Sequence, residues 1–364
     1  MKTARIVPMF LLAICLPLLL QADDSAASVA LGGIQLKREA RISMKKERLF
    51  ISQKLVRVEF EFLNTSPEDI TTEVAFPIPE YELDLWSAGG MRPFDDFRVW
   101  VEGKELRYSV EAKAFYRDKD VSAVLKQFKV DIPSFAHCDE KRDTKGFSRL
   151  TCPDFERLSA DAKKQLRALE LFSDDEAPLA RWKVRKYYHW NQKFPAGTAV
   201  HIKHEYTPGV GFEPIQPRAL DSKFRKKDIA EAEARLKASK SPEEDRIALQ
   251  DAIDFDAGIN NSCVDTGLQL AVSKAFEARK QLPQFDGYLE YIWVDYILTT
   301  ANSWKTPIED FELIVEKSDR PDAKEFVSFC WDGPVQKLDA THFVARTKDF
   351  VPKRELHIAF FEVQ

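Results

Sequence analysis

The sequence predicts a mainly β protein, a β-rich α+β chain built from two antiparallel β-sandwich-like units with helical insertions. Three observations predict it. Apolar and polar residues alternate in the first third, a charged block with helical spacing occupies the middle, and alternation returns in the last eighty residues. The clearest alternation lies in residues 56–79, VRVEFEFLNTSPEDITTEVAFPIP, where Val56, Val58, Phe60 and Phe62 share one side. Ile70, Val74, Phe76 and Ile78 repeat the pattern, and the Asn, Ser, Pro and Asp residues between the runs supply turn chemistry. This reads as a hairpin with one apolar face, and such a face needs a second layer to cover it.

In chain order, Ile34, Leu36, Ile42, Met44 and residues 49–52 read as strand, and residues 81–94, with Gly89, Gly90 and Pro93, read as an irregular connection. A second hairpin follows from Phe97 to Val110 around Glu102, Gly103 and Lys104. Residues 23–115 are therefore expected to form an N-terminal sandwich-like unit. Residues 116–180 change to helical spacing at 120–130 and 159–172, which predicts a helical connection. From 181 the alternation resumes: RWKVRKYYHWNQKF leads through Pro195, Ala196 and Gly197 into TAVHIKHEYTP, which reads as another hairpin. A helical insertion is expected at about 221–285, with Ser241 and Pro242 as a helix start and a further amphipathic helix at 265–281. Strand patterns at 288–299, 311–316, 326–331, 342–346 and 356–363 complete a second β unit over 181–364.

Lys2 and Arg5 precede an apolar run from Ile6 to Leu20, and Gln21, Ala22 and Asp23 return to polarity. That order is the order of a secretory signal peptide, and the run is shorter than the roughly 20 residues needed to span a bilayer. Cleavage after Ala22 would remove Lys2 and Arg5 and no acids, taking the formal charge from −5 to −7. An exported chain, periplasmic or extracellular and soluble once cleaved, follows as the expectation, with no transmembrane segment in the mature chain. The acidic balance argues against nucleic acid as a partner, because nucleic-acid binding depends on Lys and Arg displacing counterions.

Cys138, Cys152, Cys263 and Cys330 survive cleavage, and in an exported chain an even count reads as disulfides. The pairing expected is Cys138 with Cys152, closing a short loop worth at most about 3 kcal/mol, and Cys263 with Cys330. No Cys-x-x-Cys spacing points to zinc, so neither a metal nor a cofactor is expected.

The sequence contains no phosphate-cradling loop, nucleophile elbow or zinc helix. Two stretches remain as candidate binding surfaces. Lys183, Arg185 and Tyr187 share a strand face whose charge and ring could hold an anion; the preferred reading is a solvated face whose long side chains lie over apolar neighbours. Thr299, Thr300, Asn302 and Trp304 form a polar loop with one aromatic between two strands. As a binding site it would sit on a rigid scaffold; as a structural turn, the preferred reading, Trp304 would plug a core end.

The stretches LFIS, VRVEFEFLNTSPEDITTEVAFPIP, WKVRKYYHWNQKFPAG, YILTTANSWKTPIEDFELIVEK and VSFC resemble a family of exported bacterial proteins catalogued as domain of unknown function 4424. The stretch NTSPEDITTEVAFPIP with FRVWVEGKELRYSV is also similar to the N-terminal domain of inter-alpha-trypsin inhibitor, a β-sandwich. The first resemblance implies a compartment and no activity. Together these readings lead to an exported, non-catalytic binding or envelope-associated module whose partner is an envelope protein or glycan. The rival is a hydrolase whose carboxylate or Ser/His/Asp site is dispersed along the chain.

Overall fold

A computed structural model describes residues 25–30, 33–82, 94–133, 139–142, 148–151, 153–172, 180–239, 242–282, 285, 287–321 and 323–363. The expected leader at 1–22, Cys138, Cys152 and the glycines at 89 and 90 lie outside the described residues. With 44% strand and 27% helix the chain is mainly β.

Three larger sheets carry the fold. The first has eight strands in the order Val335–Lys337, His342–Phe350, Ile308–Glu316, Ile42–Ile51, Val56–Asn64, Ala199–Thr207, Asp95–Val101 and Lys104–Leu106. In the second, Lys183–Phe194 is central, flanked by Ile70–Pro77 and Ser109–Tyr116. The third has four strands, Val210–Ile215, Leu289–Tyr296, Leu356–Val363 and Lys324–Ser328 in that order. The first sheet does not respect the expected division into 23–115 and 181–364. Its strand Ile308–Glu316 lies parallel to Ile42–Ile51, so residues far apart in sequence share one ladder.

The two hairpins expected at 56–79 and 182–207 are corrected in the same way. Val56–Asn64 pairs with Ile42–Ile51 and Ala199–Thr207, whereas Ile70–Pro77 pairs with Lys183–Phe194 in the other sheet. Each turn thus carries the chain across the sandwich rather than back along its own ladder. Alternation alone cannot separate the two cases, because strands facing one core from opposite sides carry the same period-two pattern. The two crossings lie side by side: the Asn64 Nδ2 donates to the carbonyls of Glu68 at 2.7 Å and Phe194 at 2.9 Å, and the Ala196 N–H donates to Asp69 at 2.9 Å. Asn64 is fully buried, and its amide finds its partners in these two carbonyls.

The sandwich core collects the inward residues of all three sheets, including Phe60, Phe62, Phe76, Trp190, Ile202, Val294, Leu313 and Phe360. Each such side chain contributes about 1.5–3 kcal/mol on leaving water. Trp304 belongs to this core at 1% exposure, its ring 4.7 Å from Phe62 and 6.3 Å from Phe194. A satellite core formed by Leu125, Phe155, Leu166, Phe172, Trp182 and Val184 holds the short helices Ser122–Gln127 and Ala160–Ala168 at one end of the second sheet.

The middle block forms three helices, Ser222–Ala238, Pro242–Asn261 and Thr266–Arg279. Asp221 caps the first by accepting from the Lys223 N–H, and Asp265 caps the third by accepting from the Leu268 N–H at 2.7 Å. Among the described residues no helix is long and apolar enough to cross a membrane.

Trp304→Ala should cost about 3–5 kcal/mol in urea unfolding; a loss below 1 kcal/mol would show that the ring is not the core plug described.

Candidate functional site

The strand Leu356–Val363, LHIAFFEV, is apolar on both faces, and the structure uses both. Ile358 and Phe360 enter the sandwich core, while Ala359, Phe361 and Val363 face a second core with Val272, Ala275 and Phe276 of the third helix. The neighbouring strand divides likewise, with Ile292 and Val294 toward the sandwich and Leu289 and Tyr291 toward the helices. The three helices therefore form a cap on the outer face of the four-stranded sheet. The cap is tied down by a disulfide between Cys263, just after the second helix, and Cys330, just after Lys324–Ser328, with Cα atoms 4.9 Å apart. The Ser328 hydroxyl adds a hydrogen bond to the Ser262 carbonyl at 2.7 Å. The expected pairing of Cys263 with Cys330 is thus present.

Beneath the cap runs a hydrogen-bonded chain. The Tyr291 hydroxyl lies 2.7 Å from His357 Nε2, and His357 Nδ1 lies 2.6 Å from Asp295. The carboxylate only accepts, so Nδ1 carries the proton and Nε2 accepts from the phenol. Asp295 and His357 are register partners on adjacent strands, which sets this order. Tyr291 is 2% exposed and stacked on Trp293 and Phe361 at 4.8 and 5.5 Å. Burial, with the fields of Asp295 and Glu213, holds its hydroxyl well above the usual phenol range. Gly258 of the second helix roofs the chain: a Cβ there would lie 2.9 Å from the phenol oxygen. The arrangement braces the cap against the sheet.

At the edge strand Val210–Ile215, alternation sends Val210 into the sandwich core and Ile215 under the cap, with Gly211 and Glu213 sharing the parity of Ile215. At Gly211 a Cβ would fall 2.0 Å from the Trp293 ring, so only glycine lets the indole cross this strand. Glu213 sits opposite Tyr291 and lines a cleft of about 190 Å³ with Gln216, Arg218, Phe224, Asp228 and Phe255. Among the described residues its carboxylate has neither a hydrogen bond nor an ion pair. Burial pushes its pKa upward, and the negative field of Asp251 adds to the rise. The buried cation of the lining, Arg225, is consumed by Asp256 at 2.6 Å, Asn260 at 2.8 Å and the carbonyls of Ala219 and Leu220.

A wider hollow of about 360 Å³ lies on the outer face of the eight-stranded sheet. Its charges are already matched across strands, Arg346 to Glu312 at 2.5 Å and Lys348 to Asp310 at 2.9 Å. Such a face is solvated rather than poised for a ligand.

The residues singled out from sequence lie elsewhere and in two places. Thr299 donates from its hydroxyl and N–H to Glu355, and the Asn302 Nδ2 donates to the Pro352 carbonyl at 3.0 Å. Thr300 is fully buried beside them in the turn Thr299–Ser303. On the second sheet, Arg185 ion-pairs with Glu80 and lies 3.7 Å over the Phe115 ring, Lys183 is 4.0 Å from Glu80, and Tyr187 is buried. Glu213, Phe224 and Phe255 were not singled out. A lone Glu within the short apolar run VGFEPI was the available signal.

The chain belongs to the family described as domain of unknown function (DUF4424), whose pattern matches residues 22–359. No curated protein matches it. A solved structure from Legionella pneumophila, described as a "putative nutrient binding protein", is 13% identical over 93% of this chain and 70% of that one, with a TM-score of 0.39. A likeness of that size carries no argument about this chain.

Tyr291→Phe and Gly258→Ala should each cost about 1–3 kcal/mol in urea unfolding, the first by removing the donor to His357 and the second by crowding the phenol. If both stayed within 0.5 kcal/mol of wild type, the brace would be ruled out.

Proposed function

We propose that this chain is an exported, non-catalytic binding module that takes a small ligand in the cleft between the helical cap and the four-stranded sheet. The observation that carries the reading is Glu213: a carboxylate drawn partly out of water, with no partner among the described residues, at the wall of an aromatic-lined cleft. A partly desolvated charge without compensation costs stability, so its retention fits a group completed by something from outside. The cleft is below the roughly 300–1,000 Å³ of pockets for drug-sized molecules, which fits a small metabolite-like ligand. Export is supported by the leader pattern and by the disulfide that fastens the cap.

The hydrolase alternative would need the Tyr291, His357 and Asp295 chain to act on a substrate. Tyr291 is buried under Gly258 and its phenol is held protonated, which supports a bracing role instead.

Ligand-observed NMR with a mixed set of small cations, anions and neutral compounds tests the reading. Ala252 lines the cleft on the second helix, so Ala252→Trp should fill it and abolish the signals seen with wild type. Wild type giving no signal, or signals that survive the filling, would contradict binding in the cleft.

A further inference from the structure

We infer that the ligand of this cleft is a small organic cation, an ammonium or guanidinium group on a short apolar body. The inference rests on the cleft reading above and goes further by fixing the sign of the ligand's charge.

Four observations converge. Among the described residues the carboxylate of Glu213 has no counter-ion, and the neighbour whose field it feels, Asp251 of the second helix, is also acidic. Asp228 of the first helix adds another carboxylate to the lining, and the remaining neighbour across the ladder, Tyr291, is a neutral phenol. The deep cation, Arg225, is buried and spends four hydrogen bonds on Asp256, Asn260 and two carbonyls, so its charge is already matched within the protein. Phe224 and Phe255 supply ring faces, which attract cations through their quadrupoles.

Arg218 shows how these parts behave toward a cation. It is exposed at the rim, and its guanidinium lies 5.2 Å from the Phe224 ring centroid. The protein's own cation thus rests on one aromatic wall and does not reach Glu213. A ligand cation entering beside it would meet the carboxylate with charge-assisted hydrogen bonds and the Phe255 side with its apolar body. An anion would face the carboxylates of Glu213 and Asp228 in the lining. A neutral ligand would leave the partly desolvated carboxylate uncompensated.

A cation also selects the ionised form of Glu213. Protonation removes the attraction, so affinity is present at neutral pH and is lost as pH falls through the raised pKa of this carboxyl.

Isothermal titration calorimetry with n-butylguanidinium, the neutral isostere n-butylurea, and valerate tests this, with circular dichroism confirming that each variant is folded. Wild type at pH 7 should bind n-butylguanidinium and neither control. Affinity should fall about tenfold or more in Glu213→Gln, and by a similar factor for wild type at pH 4. Arg218→Ala should bind at least as well as wild type. Binding of n-butylurea or valerate that Ala252→Trp abolishes would overturn the cationic assignment and leave the cleft as a binding site. Binding of n-butylguanidinium undiminished in Glu213→Gln, or no binding of it by wild type, would also overturn the assignment. No effect of Ala252→Trp on any bound probe would overturn the cleft itself.

Discussion

The constraint behind the rest of this structure is the double burial of the four-stranded sheet. Ile358 and Phe360 point one way and Ala359, Phe361 and Val363 the other, so one strand serves two cores. A sheet that is apolar on both faces needs a layer on each. The eight-stranded sheet supplies one cover. The helices between residues 222 and 279 supply the other, and Cys263–Cys330 fixes them there.

That arrangement explains why one carboxylate is treated unlike the others. On the outer face of the eight-stranded sheet the charges alternate across strands: Arg57 meets Glu205 at 2.6 Å, Arg98 meets Glu105 at 2.9 Å, and Lys46 meets Glu61 at 3.0 Å. Each pair contributes little to stability in water, but together they keep a broad face polar and matched. Glu213 sits where an edge strand passes under the rim of the cap. There it loses solvent without gaining a partner among the described residues, and the neighbouring arginine is spent on Asp256 and helix-end carbonyls. The cleft and its unmatched charge are a consequence of how the cap overhangs the sheet.

Local features were legible in the sequence, and long-range ones were not. Pro242 at the start of the second cap helix announced its element correctly, because first-turn chemistry acts within a few residues. Helices at 222–279, the mainly β class and the Cys263–Cys330 link could likewise be read from pattern and composition. The crossings at 64–69 and 195–198 were read as hairpins because alternation reports which face is buried and says nothing about which sheet a strand joins. Leu313 beside Leu49 in a parallel ladder has no local signature at all. Glu213 escaped notice for a similar reason: its character depends on Asp251, Phe224 and Phe255, which the fold brings in from the helices.

The most direct test of this account is a site-resolved titration of Glu213, following its side-chain carboxyl carbon by NMR in protein labelled at glutamate, with Glu213→Gln to assign the resonance. A midpoint clearly above the ordinary glutamate range of about 4.3 is the expected result. A midpoint at or below that range would mean that the carboxylate is solvated or already paired, and would contradict the cleft as described.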